Sequence, residues 1–170
     1  MADIRWAEGN VPGLVGEIVR LHGVYYVERL GWPAIFEALC AEQLGEIAKH
    51  FGQREDVTAF SAWNGSEFMA ALVMDARPGG RPGARLRFFI ASDAARGRGL
   101  GNGLMERALT WSERRGDPVV WLTTVAGLDA SSHLYRKFGF RLMHEKLDRT
   151  WGAELHEQEW QRPAPVRTAP

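Results

Sequence analysis

Between Arg96 and Gly103 the chain reads Arg-Gly-Arg-Gly-Leu-Gly-Asn-Gly, with glycine at every second position. An apolar run, Leu86 to Ala91, precedes this segment. After it, Leu100, Leu104, Ala108 and Trp111 recur at the spacing of one helix face, up to a stop at Gly116-Asp117-Pro118. A strand that must turn within a few residues into a helix is therefore the first constraint on the fold. Glycine lets backbone N–H groups approach a ligand with no side chain in between. The first amides of a helix lack an intrahelical acceptor and point outward at the positive end of the helix dipole. The consequence is an anion site, phosphate being its usual occupant, to which Arg96 and Arg98 add charge-assisted donors. Taken alone, the segment is explained equally well as a tight strand-to-helix turn carrying surface arginines.

The flanking sequence predicts a mixed α/β sheet in a single domain over residues 1–162. Ile4 to Ala7 reads as a short edge strand. Asn10 and Pro12 are placed to cap and open a helix over Pro12–Leu30, marked by Leu14, Ile18, Leu21 and Tyr25. Gly31-Trp32-Pro33 interrupts it, and a second helix carries Phe36, Leu39, Cys40, Ile47 and Phe51 as far as Gly52. Val57–Trp63 and Phe68–Met74 flank Asn64-Gly65, a hairpin signal. Arg77 to Gly83 is a loop of turn formers. Val119–Val125 reads as a strand, Leu128–Phe138 as a short helix stopped by Gly139, and Phe140–Lys146 and Glu154–Trp160 as closing strands. A proline-bearing tail over 163–170 is expected to be disordered.

Composition removes several function classes. Lys plus Arg and Asp plus Glu number 21 each, so the net charge is zero, which argues against a nucleic-acid partner. The single cysteine, Cys40, rules out an intrachain disulfide and a C-x-x-C metal site, so no metal is expected and a reducing, cytoplasmic compartment is. The N-terminus lacks the apolar core of a signal peptide, and no run approaches the ~20 apolar residues of a membrane-spanning helix; no membrane association is expected.

The glycine spacing narrows the ligand. Asn102 and Leu104 stand where the dinucleotide fingerprint G-x-G-x-x-G needs glycine, and no Gly-Lys-Ser/Thr follows as a P-loop would require. Arg-x-x-Gly-x-Gly is met by Arg96, Gly99 and Gly101. This resembles the pyrophosphate loop of the GNAT N-acetyltransferases. About 35 residues on, Leu134-Tyr135-Arg136-Lys137-Phe138-Gly139-Phe140 is similar to that family's Leu-Tyr-x-x-x-Gly-Phe signature, and two motifs in the right order are much stronger than either alone. The resemblance spans about Ile4 to Trp160. The segments His22–Tyr26, Leu30–Leu39 and Trp151–Trp160 also look like the acetyltransferase half of bacterial proteins that fuse a MarR-type regulator to a GNAT domain, here without the DNA-binding half.

The resemblance implies a mostly antiparallel mixed sheet of about six or seven strands flanked by about four helices, with acetyl-CoA as co-substrate and a primary amine of a small molecule or peptide as acceptor. It places the pyrophosphate on Arg96, Gly97, Arg98, Gly99, Leu100, Gly101 and Asn102, and the pantetheine arm along the earlier strand near Phe89 and Ala91. A backbone N–H of that strand would polarise the thioester carbonyl. Tyr135 is the candidate general acid: its ordinary pKa lies above a thiol's, so it still holds its proton when the thiolate departs. Without the resemblance, Tyr135 reads as a core aromatic. His22, Glu28 and His133 are candidate bases alongside a water chain, and none is assigned. Tyr25, Tyr26 and Trp32, with Glu28, put aromatic and acidic groups together for a cationic amine, though Tyr25 and Trp32 also read as helix packing. Arg87, alternating with Phe89 and Ala91, either faces the cleft to read a substrate carboxylate or faces solvent. A homodimer is expected by resemblance. One departure is Leu128, where family members often carry Asn near the end of the later strand; the substitution removes a side-chain contact to the pantetheine arm. Two rivals follow: a non-catalytic acyl-CoA-binding or sensing module, and a nucleotide-dependent oxidoreductase, the latter opposed by the missing dinucleotide spacing.

Overall fold

The structure is a computed structural model and describes residues 4–79 and 81–165. Strands and helices follow in the order β1 (Ile4–Glu8), α1 (Leu14–His22), α2 (Ile35–Ala48), β2 (Val57–Asn64), β3 (Glu67–Asp75), β4 (Ala84–Ala91), α3 (Leu100–Arg115), β5 (Val119–Val125), α4 (Asp129–Lys137), β6 (Arg141–Asp148) and β7 (Leu155–Pro163). They form one sheet of seven strands in the order β1-β2-β3-β4-β5-β7-β6. Every pairing is antiparallel except β4 with β5, which a crossover through α3 makes parallel. The expected fold class, a mostly antiparallel sheet with four helices, is what forms.

β2 and β3 are buried along nearly their whole length because both faces of the sheet are covered. Alternate residues leave by opposite faces. Leu72 and Met74 pack with Leu100, Leu104, Met105 and Ala108 of α3. Ala71 and Val73 pack with Leu14 and Ile18 of α1 and with Leu44 and Ile47 of α2. A fully buried side chain of this size is worth about 2 kcal/mol, and both clusters draw on the same two strands, so these form the mechanical centre of the domain.

The first helix differs from expectation at both ends. Gly13, in the left-handed region at φ 86°, is its N-cap, so Asn10 and Pro12 lie ahead of the helix. Past His22 the winding loosens into a π-helical stretch, Gly23–Arg29, which carries Tyr25 and Tyr26. The C-terminal boundary is set by pairing: Pro163 ends β7 opposite Val119, and the Ala164 N–H donates to the Pro118 carbonyl at 2.9 Å. The remainder of the expected tail, 166–170, lies outside the described residues.

Gly83 decides where β4 starts relative to β5. Its φ is +90°, and a Cβ there would stand 2.2 Å from the Val119 carbonyl oxygen, a backbone atom that cannot step aside. Gly83→Ala should therefore lower stability by roughly 3 kcal/mol or more, read as a fall in the denaturation midpoint; an unchanged midpoint would mean that the two strands do not meet this closely.

Candidate active site

β4 and β5 pair at only two positions, Ala84 with Val120 and Arg85 with Trp121, and then diverge. Two local causes hold them apart. β5 is fully committed on its other side, to β7, from Val119 to Val125. β4 carries a bulge against β3 between Ala71 and Val73, at which Phe88 takes φ +50°, a rare value for a bulky residue. The bulge sends Phe88 toward the α1–α2 cluster and Phe89 toward the α3 cluster.

Into the gap opens a cavity of about 110 Å³. Leu86, Arg87, Phe88 and Phe89 of β4 and Leu122 to Val125 of β5 line its throat. Tyr26, Trp32 and Phe36 come from the first two helices and their junction, and Trp151 from the β6–β7 connection. Tyr26, Trp32 and Phe36 form one aromatic group, with ring centroids 4.6 to 5.0 Å apart. Trp151 joins it through Phe36 at 5.3 Å.

Tyr135 reaches the same cavity from the other face of the sheet. It is 4% exposed and packs among Phe89, Phe140 and Trp160. Burial, and then the nearby Tyr26, push its phenol above the ordinary range, while a hydrogen bond with Ser131 acts weakly the other way. Tyr135 is thus held protonated at any working pH, at the point where both aromatic groups meet.

The glycine-rich segment closes the site. Gly97 and Gly99 take left-handed conformations, at φ 70° and 73°, and Gly99 is the N-cap of α3 with no side chain capping it. The Gly103 N–H finds the Gly99 carbonyl at 3.1 Å; the amides of Leu100, Gly101 and Asn102 precede it in the first turn, where no intrahelical acceptor exists. A Cβ on Gly101 would lie in ordinary contact, 3.4 Å from Phe89 and 3.5 Å from Leu134, so loop, β4 and α4 meet at this position. A cradle of outward amides with no side chain over it fits a diphosphate.

The positions expected from sequence divide as follows. Phe89, Tyr135, Tyr26, Trp32 and Arg87 line the cavity. Ala91 is exposed at the far end of β4, opposite Ala70. Tyr25 packs against the α1–α2 cluster and edge-on to Tyr26. Arg96 and Arg98 are exposed on the loop, and Arg96 is ion-paired at 2.9 Å with Asp93, which also holds Arg29 from the end of the first helix. Leu100 buries its side chain, leaving its amide in the first turn. Glu28 and His133 are exposed, and His22 lines the cavity. Arg85, Gln43, Cys40 and Glu157 also line it, unforeseen in that role, and Lys137 donates to Asn102 at 2.7 Å, bringing a cation to the loop. The alternation that placed Arg87 equally places Arg85; Gln43, Glu157 and Lys137 carry no local signal, because each reaches the site only through tertiary packing.

Two side chains are fixed in protonation by burial. The Cys40 thiol is pushed up to about 12 by desolvation and then by Glu37, so it is no thiolate near neutral pH. His22 is lowered to about 4 by burial, against the pull of its hydrogen bond to Ile18. That bond, Nδ1 to the Ile18 carbonyl at 2.8 Å, requires the proton on Nδ1 and leaves Nε2 with its lone pair.

Among the described residues, no group of three or more His, Cys, Asp and Glu is arranged to hold a metal ion, and no helix is long and apolar enough to cross a membrane. A sequence profile of the acetyltransferase (GNAT) family matches residues 21–140. A search of curated proteins gives no match. Among solved structures, a protein from Salmonella typhimurium assigned as an acetyltransferase, determined with its cofactor acetyl-CoA, superposes with TM-score 0.73 at 15% identity, covering 98% of this chain and 97% of its own. A GNAT acetyltransferase from Staphylococcus aureus gives 0.75 at 11%, covering 96% and 100%. An acyl-CoA N-acyltransferase from Pseudomonas aeruginosa gives 0.66 at 23%, covering 94% and 99%. At these identities the likeness is one of fold.

His22 makes stability depend on pH. Its folded value, about 4, lies below the ordinary 6.5, so the unfolded chain binds the extra proton between them. The stabilisation is complete above pH 6.5 and falls by up to ~3 kcal/mol as the pH drops through that window. Chemical denaturation across the range should show the slope in wild type and its flattening in His22→Asn; identical slopes would mean that the imidazole titrates freely.

Proposed function

Because the chain belongs to the acetyltransferase (GNAT) family, we propose that it transfers an acetyl group from acetyl-CoA to a primary amine by direct attack. The observation that carries this reading is the parting of β4 and β5 beside an uncapped, glycine-started helix, with Tyr135 in the gap. The Leu100, Gly101 and Asn102 amides, with those of Gly97 and Gly99 before them, would hold the pyrophosphate. Arg96 would reach it by exchanging Asp93 for phosphate, and Arg98 and Lys137 would add charge from the rim. The open edge of β4 around Phe89, and Ala91 beyond it, would carry the pantetheine arm.

Acetyl-CoA supplies an acyl group activated as a thioester. The residues of this chain supply the rest. A β4 backbone N–H near the bulge would stabilise negative charge growing on the carbonyl oxygen. Tyr26 and Trp32 would wall the acceptor into line, and the narrow cavity would exclude water. As the N–C bond forms, the C–S bond would break, the Tyr135 phenol would give its proton to the departing sulfur, and the proton shed by the acylated nitrogen would return to the Tyr135 phenolate. The apolar surroundings that raise the phenol also destabilise a thiolate, so donor and acceptor stay matched. Cys40, the one cysteine of the chain, lines the cavity, and its pKa of about 12 keeps it an unreactive thiol, which favours the direct route over an acyl-cysteine. A buried free thiol also suits a reducing compartment such as the cytoplasm.

The likeness to MarR-fused relatives rests on the three segments quoted above. For a homodimer, the outer strand β6 offers exposed Leu142, Met143 and Leu147. A non-catalytic acyl-CoA sensor is the second reading, favoured by Leu128 at the N-cap of α4, whose apolar side chain has no hydrogen bond to offer a pantetheine arm.

Titration calorimetry with coenzyme A should give a saturable heat, and thiol release with an amine panel should separate enzyme from sensor; no heat would refute both. Tyr135→Phe should lower kcat at least 10-fold with little change in coenzyme affinity, and undiminished turnover would remove Tyr135 from the proton path. Cys40→Ala should retain turnover within a few-fold, whereas its loss would restore the acyl-cysteine route.

A further inference from the structure

Two arginines stand in the cavity wall with less counter-charge than burial demands. Arg85 and Arg87 are two apart on β4, so both leave the sheet by the face that α1 and α2 cover. Arg87 donates to Gln43 Oε1 at 2.6 Å and lies 3.7 Å from Asp75. Asp75 is already engaged by Arg77, through two hydrogen bonds of 2.8 Å. Arg85 donates to the Thr123 hydroxyl at 2.9 Å and lies over the Trp121 ring at 4.7 Å. Its Nε, wholly buried, meets no acceptor among the described residues. Glu159, a further carboxylate on this side of β7, is taken by Arg81 through two bonds of 2.8 Å. Glu157 alone remains on the cavity wall, with Lys146 3.3 Å away.

A buried guanidinium without an ionised partner is costly, and one left with an orphaned N–H more so. Burial lowers both, and Arg87 is brought down to about 10 by burial and then by Arg85. Surface arginines would carry no such burden. The cavity is therefore built for an anion, and the planar fork of a guanidinium matches a carboxylate. The aromatic rings of Tyr26, Trp32, Phe36 and Trp151 supply an apolar wall beside it, while Glu157 offers the single negative charge to a cationic end.

We infer that the acceptor is an amino carboxylate, its carboxylate held by Arg85 and Arg87 and its amine directed toward the β4 bulge. The inference rests on the acyl-transfer reading for the amine and on the cavity alone for the carboxylate. Along β4, at about 3.3 Å per residue, Arg87 and Arg85 begin roughly 7 and 13 Å before Phe89. Compact α-amino acids would depend on Arg87 reaching forward, and ω-amino acids would span the gap directly. Simple diamines and aminoglycosides would bring a second cation against two arginines and are excluded.

Two measurements on the full chain test this. In a thiol-release assay at saturating acetyl-CoA, phenylalanine, 4-aminobutyrate and 5-aminopentanoate are each compared with their own carboxamides. At least one acid should exceed its amide by 10-fold or more in kcat/KM. In Arg85→Gln its KM should rise 10- to 100-fold with calorimetric coenzyme A affinity unchanged, and Arg85→Lys, which keeps the charge but not the fork, should fall between. Separately, 3-phenylpropionate, which has no amine, should raise the wild-type melting temperature and leave that of Arg85→Gln unmoved. Turnover of amides equal to or above acids overturns the inference, as does absence of protection by 3-phenylpropionate together with no preference for acids. If coenzyme A does not bind, the transfer reading fails, and protection by 3-phenylpropionate still decides for or against the anion site.

Discussion

The proposed site depends on two strands that run side by side for only two residue pairs. A sheet gains by continuing its hydrogen-bond ladder, so a parting of parallel neighbours needs a cause on each side. β7 draws β5 away by pairing along its whole length. The bulge at Phe88 turns β4 the other way while keeping it on β3. The result is a gap whose walls include unpaired backbone edges, where an extended ligand could act as a missing strand. The helix that begins after β4 points its free amides toward the mouth of the same gap, because the chain has only the short turn from Ser92 to Gly99 in which to reverse.

Charge is distributed to match. On the loop, donors stand in water, as in the Arg29–Asp93–Arg96 cluster. In the cavity, Asp75 and Glu159 are locked by Arg77 and Arg81, leaving the inner arginines under-neutralised. The first arrangement suits a large polyanion held at the rim and released after each cycle. The second suits a small anion taken fully out of water. Between them lies Tyr135, with its proton secured by burial. On the proposed reading, two anion sites would differ in dielectric environment as well as in position.

Much of the scaffold was legible in the chain. Val119–Val125 reads as a strand because it is rich in β-branched residues, and β5 occupies that span. The Asn64-Gly65 hairpin and the Gly116 and Gly139 stops rest on local backbone preference, which needs no tertiary context. The α1 cap was misplaced because glycine at 13 can adopt a left-handed turn that competes with Asn10. The π-helical stretch gave no warning, since its periodicity over seven residues is hardly distinguishable from that of an α-helix.

The site was legible only in its linear parts. The sequence alone determined the glycine-rich turn and the tyrosine helix, because alternate glycines ahead of a helix and an aromatic stripe ending in glycine are properties of contiguous residues. It left Arg87 undecided between cleft and solvent, and it offered no reason to join Arg85, Gln43, Glu157 and Trp151. Those residues come from β4, α2, β7 and the turn before β7, far apart along the chain. Which of them share a cavity, which carboxylates are already taken, and which N–H is left without a partner are set by how strands and helices pack, and only the tertiary structure decided them.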